Sequence, residues 1–80
     1  MILVELYSRD NCRLCEIAKE ILVAAQRRHS FELREVKIHE GDEFYEDMKE
    51  RIPVVHINGK FAFCYRVVKQ ELIEILRSVS

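Results

Sequence analysis

Residues 2–25 read ILVELYSRDNCRLCEIAKEILVAA, and two hydrophobic patterns meet inside them. Ile2 to Tyr7 is an apolar run broken only by Glu5, the pattern of a strand buried on both faces. From Leu14 the apolar residues Leu14, Ile17, Ala18, Ile21, Leu22 and Ala25 fall at helical spacing, with Arg13, Lys19, Glu20, Arg27 and Arg28 off the stripe. Asp10 and Asn11 are the candidate N-caps, and Arg27, Arg28 and His29 place positive charge where the helix should end. Cys12 and Cys15 therefore sit where a strand hands over to a helix.

Working outward, Phe31, Leu33, Val36 and Ile38 alternate with a slip of one, which predicts a strand over 31–38 with a bulge or a ragged start. Gly41 allows a turn, and Phe44 and Met48 lie four apart among acids, predicting a short helix over 42–51. Residues 52–57 and 60–63 read as two strands around Asn58-Gly59, the pair that supplies the positive φ of a type I′ hairpin. Val68, Leu72, Ile75, Leu76 and Val79 predict a last helix. A βαβ unit requires a right-handed crossover between parallel strands, and the hairpin adds an antiparallel pair. The expected product is an α/β domain spanning 1–80, with a mixed four-stranded sheet and helices on both faces.

Eighty residues, 49% apolar and 34% charged, suit one small globular domain with room for one site. Thirteen basic against fourteen acidic residues give a net charge of −1, and neither sign forms a block, so neither nucleic acid nor an anionic membrane is an expected partner. Three cysteines, an odd number, argue against a disulfide framework. The N-terminus meets Glu5 with no basic lead, so no signal peptide is expected, and no apolar run approaches the roughly 20 residues that span a bilayer. The expectation is a soluble cytoplasmic monomer, in a compartment where paired cysteines do redox chemistry or bind metal.

A helix N-terminus presents unpaired N–H groups and about half a positive charge, which favours a thiolate at Cys12. Arg9 and Arg13 add to this, and Asp10 opposes it. Cys15, one turn further in, should stay protonated and more buried, which makes an attacking and a resolving thiol. The plainer readings are two small buried apolar residues or half of a zinc site. Pro53 suits the first position of a strand. With a cis bond before it, the Ile52 backbone would face an incoming peptide or thiol substrate; a trans proline opening an edge strand is the ordinary alternative. Cys64 is a third thiol near the same end, or a small hydrophobe at a strand end. His56 should point away from Val55 and Ile57, Tyr7 and Tyr65 would wall the site or fill core, and the acids from Glu40 to Glu50 suit a solvated helix face.

Tyr7-Ser8-Arg9-Asp10-Asn11-Cys12-Arg13-Leu14-Cys15, Ile52-Pro53-Val54-Val55 and Asn58-Gly59-Lys60 resemble the thioredoxin-fold glutaredoxins, and Cys-x-Leu-Cys is similar to the small bacterial and archaeal glutaredoxin-like group. The resemblance implies a thioredoxin-like fold, β-α-β-α-β-β-α with sheet order 2-1-3-4. It also implies Cys12 as nucleophile, Cys15 as resolving thiol, and Arg9, Ile52 and the cis Pro53 as substrate contacts. Arg9 matches a basic residue that could hold a glutathione carboxylate. Glu50 stands where the family often has a basic residue, and Phe63-Cys64-Tyr65-Arg66 replaces its Gly-Gly and following acids, which favours general dithiol exchange over glutathione specificity. The implied function is a thiol-disulfide oxidoreductase without a bound cofactor, acting on protein disulfides or glutathione mixed disulfides, with glutathione or a reductase protein as electron donor. Two alternatives stand beside it: a zinc or iron-sulfur module using Cys12, Cys15 and Cys64, and a non-catalytic adaptor binding through the Pro53 groove.

Overall fold

The computed structural model describes residues 1–79. Its elements run β1 (Leu3–Ser8), α1 (Arg13–Gln26), β2 (Glu32–Lys37), α2 (Tyr45–Met48), β3 (Val54–Ile57), β4 (Lys60–Cys64) and α3 (Lys69–Val79). The sheet has the order β2-β1-β3-β4, with β1 parallel to β2 and antiparallel to β3, and β3 antiparallel to β4. This is the thioredoxin-like topology that the resemblance implies.

Side chains on successive strand residues point to opposite faces. Val4, Leu6, Val55, Ile57 and Phe63 share one face and form a core with Ala18, Leu22 and Ala25 of α1 and Leu72 and Leu76 of α3. The other face is thinly covered. β1 alternates between buried and half-buried instead of being buried on both faces, because α2 is four residues long and reaches only the Tyr7 end. A helix over 42–51 does not form: α2 has no side-chain cap, and Phe44 at its start is exposed. So short a helix gains too few hydrogen bonds to offset its nucleation.

The α1 stripe is rotated from its expected position. Leu14 and Ile17 are exposed, and Cys15 joins Ala18, Leu22 and Ala25 on the buried side. The cap is neither Asp10 nor Asn11 but Cys12, in extended conformation. Asn11 adopts a left-handed φ of 55° instead, turning the chain into the helix. β2 pairs with β1 in unbroken register, so the slip in its sequence marks strand ends rather than a bulge: Phe31 and Ile38 are buried just outside it. The irregularity falls between Val55 and His56 against β4. Asn58 (φ 51°) and Gly59 (φ 81°) form the expected positive-φ hairpin turn. Asn58 also ties it to β1: its side-chain oxygen accepts from the Leu3 N–H at 2.9 Å, and its own N–H reaches the Leu3 carbonyl at 2.8 Å.

Candidate functional site

Cys12 ends the β1–α1 loop, and as the cap of α1 it receives the first free N–H groups of the helix. Its sulfur accepts from the Cys15 N–H at 3.2 Å, and its carbonyl accepts from the Glu16 N–H at 3.2 Å. Cys12 and Cys15 are disulfide-linked, with Cα atoms 5.2 Å apart. Cys15 is the more buried, as expected, at 4% exposure, but the difference is small: Cys12 is only 7% exposed. The reason is packing: Ile38 and Ile52 cluster with both cysteines, and Tyr7, Tyr45 and Met48 close around them.

The Ile52–Pro53 bond is cis, and Pro53 is fully buried. Of the Ile52 backbone, expected to face a substrate, the N–H donates to the Met48 carbonyl at 3.0 Å, the last bond of the α2 turn. Backbone pairing to a substrate through that donor is therefore closed. Tyr65 braces the same segment from behind. Its N–H lies 2.9 Å from the Pro53 carbonyl and 3.3 Å from that of Arg51, and its hydroxyl donates to the Glu50 carbonyl.

On one flank of the disulfide lies a polar cleft of about 230 Å³, lined by Arg9, Asn11, Cys12, Cys15, Lys19 and Glu35 among others. The structure thus brings Arg9 together with both cysteines. Glu35 accepts from the buried Ser8 hydroxyl and from the Lys19 ammonium, each at 3.0 Å. The Lys19 hydrogen bond holds its carboxyl below the ordinary carboxylate range, against the opposing effect of burial. This trio was missed in the sequence; only the alternation of β2, which puts Glu35 on the face of Leu33, pointed to it. Asp10, expected to oppose a Cys12 thiolate, is drawn off by Lys37 at 3.3 Å and His39 at 3.5 Å.

Cys64 is half-buried opposite Val54 and forms no disulfide. Among the described residues, no group of three or more His, Cys, Asp or Glu is arranged to hold a metal ion, so Cys64 is not gathered with Cys12 and Cys15 into a ligand set. His56 points away from Val55 and Ile57, as expected, into an edge-on row with Tyr7 at 5.1 Å and Phe61 at 6.4 Å. Burial, with Glu5 nearby, raises the pKa of the Tyr7 hydroxyl. No described helix is long and apolar enough to cross a membrane.

Residues 3–77 match the family model described as Glutaredoxin-like domain (DUF836). Among solved structures, a Northeast Structural Genomics target protein from X. campestris is 27% identical, with a TM-score of 0.73, over 94% of this chain and 96% of that one. A structure described as a malarial protein is 13% identical, with a TM-score of 0.73, over 98% and 96% of the two chains. A mutant thioredoxin from Halobacterium salinarum is 11% identical, with a TM-score of 0.70, over 96% and 73%. The last two show likeness of fold alone. With the family model covering nearly the whole chain, and its C-x-x-C pair set at the head of α1 on a thioredoxin-like sheet, the protein belongs to the glutaredoxin-like domain family.

Proposed function

We propose that the protein is a thiol-disulfide oxidoreductase in which Cys12 attacks and Cys15 resolves. The observation that carries this reading is the Cys15 N–H directed at the Cys12 sulfur, at a helix end whose dipole also favours negative charge there. In the reduced protein the Cys12 thiolate attacks one sulfur of a substrate disulfide, forming a mixed disulfide and releasing the first thiolate. Cys15 then loses its proton and attacks the Cys12 sulfur, releasing the second thiolate and leaving the Cys12–Cys15 disulfide. The substrate gains two electrons and the cysteine pair loses two; a second thiol donor, glutathione or a reductase protein, restores the dithiol.

Ile52, held in place by the buried cis Pro53, serves as the wall against which the substrate sulfur lies, and Arg9 offers a cation to an anionic substrate group, as the carboxylates of a glutathione mixed disulfide would provide. The protein acts as a monomer in a reducing compartment. The test is reduction of a small disulfide and of insulin, with glutathione or dithiothreitol as donor. Turnover that disappears in Cys12→Ser supports an enzyme. Binding without turnover would favour an adaptor, and metal purified in stoichiometric amount with the protein would favour a metal module.

A further inference from the structure

Two clefts of different chemistry lie along α1, and the polar one holds both cysteines. The second cleft, of about 310 Å³, runs between α1 and the segment after β4, lined by Leu14, Ile17, Ile21, Tyr65, Arg66 and Val67. Neither cysteine lines it; two of its lining residues tie it to the redox pair. Leu14 lies between the two cysteines in the chain, and the Tyr65 N–H donates to the carbonyl of Pro53, whose neighbour Ile52 belongs to the buried cluster of both cysteines. Leu14 is 42%, Ile17 40% and Tyr65 49% exposed, so the folded protein leaves apolar surface open beside its own chemistry.

The Tyr65 backbone shows that this wall is built rather than incidental. Its φ of 66° is left-handed, a conformation that glycine adopts freely and a bulky side chain adopts at a cost. Three hydrogen bonds, to Arg51, Pro53 and Glu50, hold it there. Arg66 stands next to it on the cleft, exposed, and makes no ion pair among the described residues. The volume is at the lower edge of the range for small-molecule pockets. That suits one large apolar side chain better than a whole polar tripeptide.

We infer that this cleft selects polypeptide disulfides, seating an apolar side chain beside the substrate cysteine while Arg66 pairs with an acidic residue next to it. The inference rests on the oxidoreductase reading and names its substrate class. Electron flow is unchanged: the polypeptide disulfide is reduced and Cys12–Cys15 is oxidised.

The experiment measures kcat/KM for three cyclic disulfide peptides whose cysteine is followed by Leu-Asp, Leu-Lys or Ser-Asn, with bis(2-hydroxyethyl) disulfide as the small reference. The wild type should prefer Leu-Asp over Ser-Asn by about tenfold, the scale of discrimination a modest apolar pocket supplies, and over Leu-Lys by a smaller factor, at most about fivefold, because Arg66 is exposed. Ile17→Ser and Tyr65→Gly should each cut the Leu-Asp rate relative to the small disulfide by a similar factor; Tyr65→Gly relieves the left-handed backbone but gives up the hydroxyl bond to Glu50, so a melting curve and the small-disulfide rate of each variant show that fold and redox pair are intact. Arg66→Glu should reverse the order of Leu-Asp and Leu-Lys. Equal kcat/KM for the three peptides, or a Leu-Asp preference that survives all three variants, overturns the inference. If neither the peptides nor the small disulfide is reduced, the oxidoreductase reading fails instead. Calorimetric titration with the same peptides, their cysteines replaced by serine, then decides the cleft separately: selective binding of Leu-Asp supports it, and equal or absent binding refutes it.

Discussion

The Cys15 amide donates to the sulfur of Cys12 across 3.2 Å, so the residue expected to resolve the mixed disulfide also helps to hold the attacking atom. The donor belongs to the backbone, so Cys15→Ser keeps it. Its consequence is an asymmetry between two cysteines of nearly equal burial. In the reduced protein, Cys12 should therefore be alkylated before Cys15 and Cys64. Brief iodoacetamide labelling across pH, read by peptide mass spectrometry, checks the order. First labelling of Cys15 would reverse the assigned roles.

Cys64 lies half-buried at the end of β4 and belongs to no ligand group among the described residues. Cys64→Ser should leave disulfide reductase turnover within about twofold of the wild type, a change of well under 1.4 kcal/mol in barrier. Steady-state kinetics beside a melting curve separates a catalytic loss from an unfolded variant.

Glu35 gives the fold a pH dependence whose sign follows from its neighbours. Its carboxyl titrates below the ordinary range because the Lys19 ammonium and the Ser8 hydroxyl favour the charged form. The contribution is therefore present above the unfolded carboxylate pKa and is lost as pH falls through the lower folded value. The side chain is 26% exposed and Lys19 52%, so solvent screening limits it to no more than about 1 kcal/mol. Urea unfolding should show wild type more stable than Glu35→Gln at pH 7, with the gap closing below about pH 4. A gap that widens on acidification contradicts the assignment.

Leu22 is fully buried between the sheet and α3, whereas Leu14, on the same expected stripe, is exposed. Leu22→Ala should cost about 2–5 kcal/mol and Leu14→Ala less than about 1 kcal/mol. Denaturant midpoints of the two variants check both.

That contrast also shows how far the sequence could be read. Helical spacing located α1 to within a residue, because period 3.6 is a property of the chain alone. It did not fix the rotation of the buried side, which depends on the sheet that α1 meets; there Cys15 displaces Leu14 and Ile17. Asn58-Gly59 located the hairpin, since positive φ restricts the residue choice. The Phe44 and Met48 spacing overstated α2, because two apolar residues do not stabilise three turns of helix. At the site, the cysteine pair and Pro53 were legible as a local motif. The Ser8–Glu35–Lys19 trio and the Tyr65 brace join residues from separate elements, and only the register of the folded sheet brings them together.

The account depends most on attack by Cys12 and resolution by Cys15. Cys15→Ser, reduced and mixed with a disulfide substrate, should accumulate a covalent adduct that intact mass shows as one substrate half per chain. Peptide mapping should place it on Cys12, and dithiothreitol should release it. Absence of an adduct, or an adduct on Cys64, would contradict the central claim.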